Sequence, residues 1–238
     1  MIRFTYDEIP RSNDLCSPAK IVGVLADLMN SAFGITPSEF HVLNSRSGLG
    51  PSIHRPAHRI MLDCDSRYWC QLAYQFAHEY CHFLIPNNVV QQLRWFEESI
   101  CALSSIVFLE QLAQVWQIKG VPGYSDYASS IQIYVANNKK VVEPFDLTCL
   151  SVPDSPICLK FFSNGGEYCR GMNRYIAIQL LPIFEKYPQL WSAVPNLCKI
   201  PGSSNLGEML FAWRELSSPS VFTGISEVLT LFITRNSS

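Results

Sequence analysis

The run His78-Glu79-Tyr80-Cys81-His82 sets two imidazoles four residues apart, with a carboxylate beside the first. On a helix, residues at i and i+4 stand one above the other on one face, so both rings can converge on a single cation. Glu79 lies one step round the helix. From there a carboxylate can take a proton from a water that the cation polarises, without being a ligand itself. Zinc is the expected ion, because imidazole and carboxylate ligands with one position left open suit a catalytic zinc. By composition, the pattern arises by chance in a chain of 238 residues about 1% of the time.

A catalytic zinc takes three protein ligands. The candidates for the third are Glu97 and Glu98, in Trp95-Phe96-Glu97-Glu98-Ser99. The turn near Ile85 to Val90 lets a second helix fold back over the first and bring one of them to the metal. The other is expected to be solvated near the helix start, where negative charge is favourable. A glutamate opening so apolar a helix is costly to bury without a partner, and a metal is one such partner.

The remaining histidines, His41, His54 and His58, fall outside this helix and read as surface or hydrogen-bonded residues, with His58 placed where it could line the site. Cys81 reads as core packing, since adjacent helix residues do not face each other and the thiol cannot use His82 as a base. The nine cysteines include no CxxC pair and are odd in number. They read as reduced thiols in a reducing, cytoplasmic compartment.

The elements that must position these groups follow from periodicity and punctuation. Ser17-Pro18 opens a helix to about Phe33, stopped at Gly34. Asn44 to Pro56 is rich in Ser, Gly and Pro and reads as a loop. His58 to Asp63 is a strand, taken as a sheet edge to which an extended substrate could pair. Ser66 caps the motif helix, which runs to about Leu84 and ends before Pro86. Its apolar positions Trp69, Leu72, Ala73, Phe76, Ala77 and Tyr80 recur at three- and four-residue steps.

A long helix then runs from about Gln91 to Gln117, apolar nearly all round from Ile100 to Leu109 and therefore central. Ser125 caps a helix to about Ala136, and residues 141–166 read as irregular. Helix returns near Tyr168, kinked or ended by Pro182, and again near Leu206 to Leu216 and Ile225 to Phe232. The expected class is α+β, with a small N-terminal sheet, the motif helix and a mainly helical C-terminal lobe. The chain reads as one domain over 1–238, with a front lobe of about 1–90 and a helical lobe of about 91–238.

Composition narrows the partners. The chain is 48% hydrophobic and 16% charged, with a net charge of −2, a globular composition without the basic excess that nucleic acid demands. The amino terminus has no basic-then-apolar leader, and no stretch reads as the ~20 apolar residues that span a bilayer. The expected partner is a peptide or protein substrate, with neither nucleic acid nor membrane.

The motif with its downstream glutamate resembles the gluzincin metallopeptidases, distantly those of aminopeptidase-N type. Trp95 to Ala102 resembles that family's W-x-x-E-G-[FL]-x-[ES] segment, whose glutamate is the third zinc ligand. The resemblance puts Glu98 in that column, with Ser99 where the family prefers glycine, and keeps Glu97 as the runner-up. The gap from His82 to Glu98 is slightly shorter than in the aminopeptidase-N branch, so the connecting turn should be tighter. Tyr168-Cys169-Arg170-Gly171 resembles the Y-x-K-G element that opens a helix in that branch. The resemblance implies that the Tyr168 hydroxyl stabilises an oxyanion. The G-x-M-E-N segment that holds a substrate's free amino terminus is missing before the motif helix, which counts against aminopeptidase specificity. The likeness covers roughly Arg59 to Pro182 and implies a zincin-like fold.

The resulting expectation is a zinc-dependent metallopeptidase. His78, His82 and Glu98 hold the metal, and Glu79 takes a proton from water and passes it to the leaving amine. The alternatives are a zinc-binding regulatory protein without turnover and a zinc hydrolase acting on other bonds. An intact Glu79 weighs against the first, since a structural site has no need of a general base.

Overall fold

The computed structural model describes residues 4–7, 18–37, 39–44, 47–65, 67–119, 125–163 and 166–233. The protein is α+β. Two compact units share the chain discontinuously, one from residues 1–84 with 104–140 and the other from 85–103 with 141–238.

The first unit holds a four-stranded mixed sheet. Its strands are β1 (Phe4–Asp7), β2 (Phe40–Asn44), β3 (Ser52–His54) and β4 (Arg59–Leu62), in the order β1-β2-β4-β3. β1, β2 and β4 are parallel, and β3 runs antiparallel to β4 with Ile53 opposite Ile60. The expected edge strand at 59–63 is therefore interior. β3 covers it, drawn from a stretch that reads as loop because Gly48, Gly50, Pro51 and Pro56 surround three strand residues. Gly48 and Gly50 take the left-handed backbone that their turn requires, and both amides donate to the Asp63 carboxylate.

Helices α1 (Pro18–Phe33) and α2 (Trp69–Leu84) pack against each other in this unit. α1 buries Ile21, Val22, Leu25, Ala26, Met29 and Phe33, a single stripe at helical spacing, and stops at Gly34 with φ +66°. The proposed caps Ser17 and Ser66 lie outside the described residues. α2 buries Leu72, Ala73, Phe76, Ala77, Tyr80, Cys81 and Leu84. Phe40 of β2 meets the rings of Phe76, Tyr80 and Phe83, which ties the sheet to α2.

Helix α3 (Arg94–Lys119) follows a short 3-10 turn at Gln91–Leu93 and is buried from Trp95 to Phe108 except at Glu98 and Val107. By length and composition Gln91–Ile118 could cross a bilayer, which the sequence reading did not anticipate. Yet 72% of its most apolar window is buried inside the protein, as a core helix requires. α4 (Ser125–Lys140) runs a full turn beyond the expected end near Ala136. Lys139 ion-pairs with Glu110 of α3 at 2.6 Å, and Trp69 of α2 meets Tyr127 at a tilt and Trp116 edge-on.

The second unit is helical. It contains α5 (Pro156–Phe162), α6 (Arg170–Lys186), a 3-10 stretch at Pro188–Lys199, α7 (Leu206–Glu215) and α8 (Phe222–Phe232). α5 falls in the stretch read as irregular. Ser155 caps it through the Cys158 amide and Pro156 opens it, but seven residues give too little periodicity to detect. α6 continues through Pro182. Burial of Ile176, Ala177, Leu180, Leu181, Ile183 and Phe184 on both sides outweighs the ~3 kcal/mol that an internal proline costs. The core of this unit is aromatic, with Trp95 against Phe161 and Phe232, and Phe96 against Trp213 and Phe232.

Candidate metal centre

The apolar stripe of α2 fixes which way its polar stripe faces. Gln71, Gln75, His78 and His82 fall on one side at steps of four, three and four, and all are half-buried. Several side chains then fix the helix itself. Gln75 makes a two-way pairing with Asp63 just past β4, accepting from its amide at 2.9 Å and donating to its carbonyl at 3.1 Å. Arg55, in the turn between β3 and β4, donates to the His82 carbonyl at 2.8 Å. That carbonyl lies in the last turn of α2, where main-chain acceptors lack intrahelical partners and positive charge is favoured. On the far side the Tyr80 hydroxyl donates to Asn30 of α1 at 2.7 Å. Burial pushes the Tyr80 hydroxyl far above its ordinary pKa, so it remains a donor.

The His78 and His82 rings stand 5.0 Å apart between centroids, inclined at 68°. Glu98 of α3 joins them: one ligand atom from each of His78, His82 and Glu98 lies within 4.8 Å of the others. None of the three is exposed. A tetrahedral cation about 2.1 Å from each donor takes donors roughly 3.4 Å apart, somewhat closer than this 4.8 Å grouping. Two imidazole nitrogens and one carboxylate oxygen are donor types that suit a divalent cation. This is the one such group of three among the described residues.

Glu98 is placed by the packing of its own helix. Trp95 and Phe96 are buried in the aromatic core, and the Trp95 indole donates to the Gln92 carbonyl at 2.8 Å. Ser99 returns its hydroxyl to the Trp95 carbonyl at 2.8 Å, which lets serine sit fully buried there. Further along, Ser104 donates to the carbonyl of Ala77 at 2.7 Å and Ser105 to that of Tyr74 at 3.0 Å. Both hydroxyls bind α2 directly beside the motif. Because Ser105 is seven residues beyond Glu98, the two share one helix face, and Cys101 and Ala102 complete a stripe of small side chains along it.

The neighbouring carboxylates separate by burial. Glu79 is 6% exposed on α2, one position after His78. Glu97 is 7% exposed, so it is not the solvated helix-start residue that the sequence reading expects of the glutamate left off the metal.

Tyr168 closes a 3-10 turn at Gly166–Tyr168, directly ahead of α6, and is 77% exposed. Gly171 accepts from the Glu143 amide at 3.1 Å, and the flexible, exposed Glu143 side chain lies beside it. Arg174 donates to the Val141 carbonyl at 3.1 Å, so residues 141–143 lie strapped across the first turn of α6.

The other histidines serve local structure. His41 shares a hydrogen bond with Thr5 at 2.6 Å, and His54 accepts from the Ala57 amide. His58 takes a left-handed backbone at φ 48°, bonds the Glu39 carbonyl and meets Phe83 edge-on, so it belongs to the β3–β4 turn. Cys81 is buried in the α2 core. Cys70, Cys81, Cys149, Cys158 and Cys198 are free thiols.

The residues around the cluster that sequence reasoning misses are Arg55, Gln75, Ser104 and Ser105. Only the Ser104-Ser105 pair leaves a signal, as two adjacent hydroxyls inside an otherwise apolar helix. Compared with protein-family models, curated proteins and solved structures, the chain matches none.

Proposed function

We propose that this chain is a zinc-dependent peptidase with a zincin-like arrangement of sheet and motif helix. The observation that carries the reading is the meeting of His78, His82 and Glu98 from two helices, with Glu79 buried one residue from His78. Zinc at these donors supplies Lewis acidity toward a water and a substrate carbonyl. Glu79 takes the water's proton and delivers it to the leaving nitrogen.

The Tyr168 hydroxyl donates to the oxyanion that develops on the carbonyl oxygen. An extended peptide adds to the outer edge of β3, which replaces β4 as the strand available for such pairing.

The test uses the full chain, stripped of metal and reloaded with zinc, on fluorescein-labelled casein. Cleavage that a chelator abolishes and zinc restores supports the reading. Stoichiometric zinc without cleavage would leave the chain a zinc-binding protein without turnover.

A further inference from the structure

Tyr168 is largely exposed, so packing of its own does little to hold its direction. An exposed side chain keeps a fixed position only if its backbone is clamped, because ordering it otherwise costs entropy with no compensating contact. The structure clamps this turn from two sides. Asn173, 3% exposed and one turn into α6, donates from its side-chain amide to the carbonyls of Gly166 at 3.0 Å and Glu167 at 3.2 Å. Glu167, immediately before Tyr168, meets the Arg94 guanidinium at 3.5 Å. The Glu167 side chain is only 14% exposed, and its Oε2 is buried without a hydrogen bond. Arg94 is the first residue of α3, one helical turn before Glu98.

We infer that Asn173 and the Arg94–Glu167 pair are positioning residues, which hold the Tyr168 turn to the end of the helix that carries Glu98. Without Arg94, the Glu167 carboxylate is left buried and uncompensated, and it gains hydration only by swinging the turn outward. Without the Asn173 amide, two carbonyls of the turn lose a common donor. Either change moves the tyrosine while leaving His78, His82 and Glu98 in place. The catalytic consequence rests on the proposed peptidase function; the mechanical one does not.

The test compares Arg94→Met, Arg94→Lys, Asn173→Ala and Glu167→Gln in the zinc-loaded full chain. Hydrogen exchange over residues 166–173 should speed about tenfold or more in Arg94→Met and Asn173→Ala. Arg94→Lys should restore most of the protection, with zinc content and exchange over residues 78–82 unchanged. Glu167→Gln removes the ion pair without stranding a buried charge, and should loosen the same segment even if Asn173→Ala fails to fold.

On labelled casein, Arg94→Met should lower kcat about tenfold with KM unchanged. It should cost nothing further when added to Tyr168→Phe. Unchanged exchange in both Arg94→Met and Glu167→Gln overturns the inference, as do fully additive losses in the double variant. Faster exchange in a chain that never cleaves casein leaves the clamp standing and removes the peptidase reading instead.

Discussion

The Ser105 hydroxyl donates to the carbonyl of Tyr74 at 3.0 Å, joining α3 to α2 one turn ahead of His78. Ser104 makes the companion bond to Ala77, and both serines are fully buried. Both bonds tie the α3 segment beyond residue 103 to the helix bearing both histidines. Replacing both serines by alanine should cost about 1–3 kcal/mol of stability, at roughly 1 kcal/mol for each buried hydrogen bond. Zinc affinity should fall several-fold, because the third ligand is held less firmly. Urea unfolding of the metal-free chain and a zinc titration measure the two effects separately. Unchanged zinc affinity alongside lost stability would mean that the serines serve the core alone.

Glu79→Gln should keep the fold and bind zinc normally, yet cleave labelled casein at least a thousandfold more slowly. Glutamine keeps the size and hydrogen bonding of glutamate but cannot accept a proton from water. Residual cleavage near the wild-type rate would assign the base elsewhere.

Glu98→Ala should weaken zinc binding a hundredfold or more, while Glu97→Ala should leave it within about threefold. Adjacent helical residues diverge by about 100° round the axis, so both cannot point at one ion. Glu98 is the one whose carboxylate meets the histidines. Competition against a chromogenic zinc chelator measures both variants, and a larger loss for Glu97→Ala would rotate the assignment by one residue.

Tyr168→Phe should lower kcat on the order of a hundredfold, with zinc content and KM little changed. Removing one donor from a developing oxyanion costs roughly 3–4 kcal/mol at the transition state and almost nothing in the ground state. A rate within twofold of wild type would remove Tyr168 from the mechanism.

Cys70, at the start of α2, gives a pH signature outside the metal centre. Burial pushes its thiol from an ordinary 9.0 up to about 11, partly opposed by a backbone hydrogen bond. The folded state therefore holds this proton more tightly than the unfolded state. Stability should be flat below pH 9, as far as this group is concerned, and should fall as pH rises from 9 to 11. Alkylation of Cys70 by iodoacetamide, followed by peptide mass spectrometry, should show the same late onset. A midpoint near 8.5 would place the thiol in contact with water.

Much of the helical frame is legible before folding. α2 and α3 are long, strongly patterned and punctuated by Pro86, so their existence follows from local chemistry. The strands are three to five residues long, and their partners lie up to thirty-six residues away, as Phe4 with Phe40 shows. Such short runs give little period for a sequence to show, and of the four only β4 is legible. β3 is hidden further by the glycines and prolines around it, which is why β4 looked like an edge.

The candidate site divides in the same way. His78 and His82 belong together because one helix carries both. Glu98 takes its place only when Trp95 and Phe96 are seated in a core built from residues more than sixty positions away. Arg55, Ser104 and Asn173 bond main-chain atoms, so nothing in their side-chain types announces their partners.

The most direct test of the account is the metal content of the chain itself. The full chain, dialysed against zinc and then against metal-free buffer, is analysed by elemental mass spectrometry beside His78→Ala. The account predicts one zinc per wild-type chain, displacing iron when both are offered, and less than a tenth of that in His78→Ala. A wild-type chain that retains no divalent metal, or a His78→Ala variant that retains a full equivalent, would contradict it.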